Sequence, residues 1–318
     1  MRDIRRWISR AALVAALAVT AAACGGGLNE GGTSGGTSAA TQAGTAKKDI
    51  TVRLASNDFT EQLILGDIYK QAFEKAGYTV DYKAGLGTRE IVAPALESGQ
   101  IDMYVEYAGS ALSILAKKTD VKDEQQIYTE LKAYYQPKGI TPLEQTPMSD
   151  QNAFAITQET KTKYNITTMS DLAKVANQLT VGGPPECEQR VTCLKGVQDT
   201  YQTKFKSFKP IAQGALKYQA LLKGDIQVAL AFTTDGIIAK ENLYVVQDDK
   251  GVFPPDHAVP VARNDFLSKA GPDFTTLVNR ISAAITTEEI TQLNAKVDLD
   301  REDPKDVATE WLSSKGLA

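Results

Sequence analysis

Asp256 and His257, in GVFPPDHAV, are where acid–base chemistry would be sought first, because His257 is the only histidine in the chain. An imidazole beside a carboxylate can move a proton near neutral pH. Adjacent residues on a strand point to opposite faces, however, so neighbourhood in sequence is weak evidence for a working pair. No G-x-S-x-G, P-loop or metal triad accompanies it, and GLGTRE (Gly85–Glu90) lacks the third glycine of a dinucleotide loop. Cys187 and Cys193 are the second reactive pair. Their spacing in an exported chain favours a disulfide closing a small loop, with two free thiols as the alternative. Zinc would need more ligands than two cysteines and one histidine supply. The third chemistry is that of aromatic faces, which attract cations. Tyr107 and Phe232 stand out here because each ends a segment that the chain repeats.

That repeat is ALESGQIDMYVEY (Ala95–Tyr107) against ALLKGDIQVALAF (Ala220–Phe232). Both read as a helix end, a glycine stop and a strand closed by an aromatic. If the echo is structural, Tyr107 and Phe232 sit at the carboxyl ends of equivalent strands, where open α/β sheets bind ligands. The rest of the body also alternates strand and helix. ITVRLAS (Ile50–Ser56) alternates apolar residues as a strand does, and a helix is expected from Thr60 to Ala76, capped by Asp58 or Thr60. A second helix is expected between Thr88 and Gly99, with Pro94 disturbing it. Helices are also expected at Ser170–Gln178, Val191–Tyr201 and Ala215–Lys223, and throughout Pro272–Gly316. This alternation predicts an α/β architecture with mostly parallel sheets.

The ends and the charge narrow the class. Residues 1–10 carry four arginines and one aspartate, and an apolar run of thirteen residues follows up to Ala23. This is the layout of a secretory signal over residues 1–23, too short to persist as a spanning helix. Cys24 after three alanines resembles the lipobox of bacterial lipoproteins, with alanine in place of the usual leucine; a plain signal peptide is the alternative. Residues 24–48 are rich in Gly, Ser, Thr and Ala and read as a flexible tether. The chain's net charge is −4, of which residues 1–23 contribute +3, leaving −7 for the rest. No clustered basic face points to nucleic acid. The body from about Lys48 is large for a single core, so two lobes are expected.

Four segments together carry a resemblance: SNDFTEQLILGDIY, GLGTREIVAPALESGQIDMYVEYAGSAL, LKYQALLKGDIQVALAFTTDG and VVQDDKGVFPPDHAVPVAR. They resemble the substrate-binding proteins of ABC importers for glycine betaine, choline and carnitine, the ProX-like and OpuAC-like proteins. The resemblance implies a two-lobed periplasmic-binding-protein fold of type II, α/β, with mixed, mainly parallel sheets, helices on both faces and a ligand cleft between the lobes. Residues 49–150 and 253–318 would form lobe 1, and residues 151–252 lobe 2. It implies no catalysis and no cofactor or metal. The partners would be a quaternary ammonium ligand and the importer's permease and ATPase, with the membrane reached only through a lipid on Cys24 at its outer face, and the protein a monomer. Such a ligand is recognised by aromatic faces around its methyl shell, and a ligand carboxylate by arginine or N–H donors.

Carried over position by position, the resemblance assigns ligand contacts to Tyr107 and Ser110 within EYAGS, and to Asn57, where relatives commonly have lysine. The other cage tyrosines fall on Phe154, Phe232 and, after Phe-Pro-Pro, Asp256. Arg190 takes the place of an arginine in the second lobe, although ECEQRVTC departs from the family there. Each position has a plainer alternative as core, cap or surface charge. Aspartate at a cage position would suit a ligand that lacks its own acid group. A different cargo on the same fold, and a tethered scaffold with no ligand, are the competing readings.

Overall fold

The computed structural model describes residues 49–317. The expected signal segment and Cys24 lie outside the described residues. Among the described residues, ten strands form two five-stranded sheets. In chain order they are β1 (Thr51–Asn57), β2 (Thr79–Gly87), β3 (Met103–Tyr107), β4 (Ile140–Pro142), β5 (Asn152–Ile156), β6 (Thr180–Gly183), β7 (Ser207–Pro210), β8 (Val228–Phe232), β9 (Tyr244–Val246) and β10 (Ala258–Arg263). The first sheet has the order β2-β1-β3-β10-β4 and the second β7-β6-β8-β5-β9. In each, the first three strands run parallel, and the fourth in line, β10 or β5, is antiparallel to both its neighbours. The two sheets thus have one topology, and β3 and β8, the strands of the sequence echo, hold the same central place.

Both faces of each sheet are covered, so β3 is buried along its whole length and β8 up to Phe232, which is half-buried. On β3, Met103, Val105 and Tyr107 face one core and Tyr104 the other, as a period of two requires. On β8, Val228 and Leu230 face one core, and Ala229 and Ala231 the other. Helix α1 (Thr60–Lys75) packs Ile64, Leu65, Ile68 and Phe73 onto the first face of the first sheet, together with the C-terminal helices. Helix α2 (Arg89–Glu97) packs Val92 and Leu96 onto the second. Pro94 lies inside α2 without ending it, because its ring is on the solvent side and only one ladder hydrogen bond is forfeited.

Three boundaries differ from expectation. The residue before α1 is Phe59, and neither Asp58 nor Thr60 caps the helix with its side chain; Thr60 instead donates to Asp298 at 2.6 Å. The helix expected from Val191 starts at Leu194, after the Cys193 turn. The C-terminal region is three helices, Pro272–Ala284, Thr287–Asp300 and Pro304–Ser314, with breaks at residues 285–286 and 301–303.

The chain crosses from one sheet to the other twice, after β4 and after β9. The crossing segments run side by side: Ser149 bridges His257, and the Asp150 N–H donates to the Asp256 carbonyl at 2.9 Å. This pair of strands forms the hinge between the halves. His257 is used up in it, with Nδ1 3.0 Å from the Thr146 carbonyl and Nε2 on Glu124.

Candidate functional site

The carboxyl ends of β3 and β8 face one another across a cleft that opens to solvent. Tyr107 closes β3 and Phe232 closes β8. Phe59 stands between them, its ring centroid 6.2 Å from Tyr107 and 5.8 Å from Phe232, with interplanar angles of 28° and 19°. The three rings form a stacked column joining the two halves of the molecule. Such a column offers flat π faces, the surface that a methylated cation requires. Phe59 escaped the sequence reading. Its signal was an aromatic at the position where a helix start calls for Ser, Thr, Asp or Asn.

Behind the column lies a buried carboxyl group that ties it in place. Glu61, one residue into α1, accepts from the Tyr107 hydroxyl at 2.6 Å, from Thr234 Oγ1 at 2.6 Å and from Asn294 Nδ2 at 2.7 Å. Burial pushes its pKa up, against the three hydrogen bonds. Asp150, at the hinge, is pushed well up by burial first and then by the charges of Glu61 and Asp235. Lys217 is also buried. Its ammonium lies 5.5 Å from the Phe232 centroid, 2.9 Å from Gln213 Oε1 and 3.8 Å from Asp235. Burial lowers its pKa, opposed by the nearby carboxylates. A native cation therefore already uses one aromatic of the column.

The other wall is built around Asp256. The short helix after β3, Ala108–Ile114, comes so close to the crossing strand that a Cβ on Gly109 would lie 2.3 Å from the Pro255 carbonyl oxygen. Glycine there brings Ser110 onto Asp256. The Ser110 N–H donates to Oδ1 at 3.0 Å and its hydroxyl to Oδ2. Burial raises the Asp256 pKa to about 7, against the pull of Arg89 and the Ser110 donors. Asp256 lines the cleft, as does Ser110, yet its oxygens are turned to Ser110. Arg89 is itself buried and forked onto Glu106, at 2.9 Å through Nε and 2.8 Å through Nη2. Burial works against its charge and Glu106 outweighs that, holding it protonated.

The remaining expected positions separate. Asn57 lines the cleft, with Nδ2 on the Gly87 carbonyl at 3.2 Å, where it holds the ends of β1 and β2 together. Cys187 and Cys193 are joined in a disulfide, Cα to Cα 5.2 Å, and form part of the cleft wall. Arg190, between them, reaches the cleft mouth, but its guanidinium is forked onto Glu90. Burial would raise the Glu90 pKa, and Arg190 with the Thr88 hydroxyl turns the net shift downward. Phe154 lies away from the cleft. It is fully buried and packs against Phe205 and Phe253, each 5.9 Å away, inside the second lobe. Because β5 is antiparallel to β8, its first residue meets the cleft: Asn152 pairs with Phe232, while Phe154 lies two residues deeper on the same face.

Residues 50–314 match the substrate-binding domain of ABC-type glycine betaine transport systems. The chain belongs to this family. The carnitine transport binding protein OpuCC of Listeria monocytogenes (strain 10403S) is 31% identical over 273 residues, covering 85% of this chain and 88% of the relative. The glycine-betaine-binding protein of Pseudomonas aeruginosa is 31% identical over 278 residues, covering 84% and 88%. A crystal structure described as a glycine betaine/carnitine/choline ABC transporter superposes with a TM-score of 0.68 at 29% identity, covering 84% of this chain and 99% of that one. Members of this family are substrate-binding components of transporters rather than enzymes, and they work outside the cytoplasm. The fold is the two-lobed type II binding-protein fold, with the first sheet in one lobe and the second in the other. Among the described residues, no helix is long and apolar enough to cross a membrane.

Proposed function

We propose that this protein captures a quaternary ammonium osmolyte of the glycine betaine, choline or carnitine type outside the cytoplasm and delivers it to the permease and ATPase of an ABC importer. The observation that supports this is the column Tyr107, Phe59 and Phe232, with one wall from each lobe and Phe59 between them. A quaternary ammonium has no N–H to donate and is held by its charge and methyl surface. Lobe closure around it removes water and strengthens those contacts. In this reading Phe59 gives way to the ligand, or becomes a wall of its cage together with Tyr107 and Phe232. The relatives named for carnitine and glycine betaine support the same ligand class.

The protein acts as a monomer, held to the outer face of the membrane by a lipid on Cys24 and the tether of residues 25–48. Replacement of Cys24 by Ala is expected to release the protein or leave it uncleaved; full processing with retention on the membrane would overturn the anchor. For the ligand, a thermal-shift panel of glycine betaine, choline and carnitine, followed by calorimetry, is the test. A ligand at about 100 times its dissociation constant stabilises the folded state by about 2.7 kcal/mol, which the melting temperature registers readily. No binding to any of the three would overturn the reading and leave a cargo of another kind.

A further inference from the structure

We propose that the Cys187–Cys193 disulfide is a closure element, holding Arg190 in position to clamp Glu90 of the opposite lobe and so setting how long the cleft stays shut. This rests on the ligand-capture reading above.

Both sulfurs are rooted in the core of the second lobe, each cysteine 1% exposed. The two cysteines are six positions apart, with Arg190 midway between them. The loop backbone is tied internally: the Arg190 N–H donates to the Glu186 carbonyl at 3.2 Å, and the Arg190 carbonyl accepts from the Cys193 N–H at 3.0 Å. The loop also lies hard against the following helix, where a Cβ on Gly196 would fall 1.7 Å from the Val191 carbonyl oxygen. From this fixed base the guanidinium crosses the cleft mouth. It meets Glu90 through Nη2 at 2.8 and 2.9 Å and through Nε at 3.2 Å, with Glu186 behind it at 3.7 Å. Glu90 stands in the first turn of α2, which packs on the first sheet through Val92 and Leu96. Among the ion pairs of the described residues, this is the one that joins the two lobes.

A solvent-facing ion pair normally contributes little, because two long side chains lose their freedom to form it. A fork offered from a covalently closed ring loses less, since the loop carrying it is ordered before the lobes meet. The ring therefore turns an ordinary surface pair into a latch.

The test uses the full oxidised chain with choline as probe, and two readouts. One is the choline release rate in stopped flow. The other is the radius of gyration of the ligand-free protein by small-angle scattering. Glu90→Gln and Cys187→Ser/Cys193→Ser are each expected to speed release about two- to fivefold, the range of one such pair, and to enlarge the ligand-free protein. In combination they should add little to either alone, because they act through one contact. Unchanged release and scattering in Glu90→Gln, or a cysteine effect that adds in full on Glu90→Gln, would overturn the proposal. If choline does not bind, the ligand reading fails for choline, while scattering still decides the latch. If the cysteine variant does not fold, Gln189→Gly/Val191→Gly loosens the same loop with the ring intact. It should then reproduce the Glu90→Gln effect, and failure to do so overturns the proposal.

Discussion

Asp256 links the hinge to the cleft and makes a pH prediction with a definite sign. Its folded-state pKa of about 7 lies above the ordinary value of 3.8 because burial disfavours the carboxylate. A raised acid pKa means that the folded state holds its proton where the unfolded state has lost it. Stability from this group is therefore intact below about pH 4 and is lost as pH rises toward 7. The full penalty is about 4 kcal/mol, from roughly three pKa units at 1.36 kcal/mol each. Between pH 5 and pH 8 it grows by about 2.5 kcal/mol. Asp256→Asn keeps an acceptor for the Ser110 N–H and cannot ionise. Urea unfolding of both proteins at pH 5, 6, 7 and 8 should show the variant gaining on the parent by about that amount across the range. Glu61 shifts the same way, is common to both proteins and cancels in the difference, whereas Asp150, raised in part by the Asp256 charge, is relieved in the variant and adds to its gain with the same sign. A stability difference that stays constant from pH 5 to pH 8 would refute the reasoning, and with it the idea that the site holds a strained, buried acid.

Three further outcomes are expected. Tyr107→Ala and Phe59→Ala should each weaken quaternary ammonium binding about tenfold or more by calorimetry, the worth of one good cation–π contact, whereas Tyr107→Phe should lose less because only the hydrogen bond to Glu61 goes. Arg89→Met leaves Glu106 buried without its partner and should destabilise the protein by about 3–5 kcal/mol in chemical denaturation. Choline should bind more tightly than glycine betaine in paired titrations, since both arginines lining the cleft are committed to carboxylates while Asp150 and Asp256 lie on its wall; a clear preference for glycine betaine would show that one arginine turns to the ligand.

The repeated segment ending in Tyr107 and Phe232 was legible because strand, stop and aromatic are local features, and both strands keep them in one topology. The alternation of helix and strand was legible for the same reason. Asn152 and Phe154 mark the first limit. Both lie on the same face of β5, and only the antiparallel pairing with β8 decides which of them meets the cleft. A shift of two residues along a strand preserves the side-chain period, so sequence pattern does not separate the two positions. Phe59 marks a second limit. A helix start without a polar cap reads as a weak start, yet the cap is given up so that an aromatic ring can stand between the lobes.

Burial is the third limit, and it changes what the charged residues are for. Glu61 in the first turn of a helix reads as an ordinary partner of the helix dipole. In the fold it is a buried hub between Tyr107 of one lobe and Thr234 of the other. Asp256 reads as a turn residue and Arg190 as a surface charge. The hinge buries the first against Ser110, and the disulfide loop carries the second to Glu90. These three contacts lie at the back, the wall and the mouth of one cleft, and two of them span the lobes directly. Closure is therefore supported by polar contacts as well as by the aromatic column. A ligand that adds its charge to the column joins contacts that already span the lobes, and its affinity will follow the strength of those contacts as much as the quality of the cage.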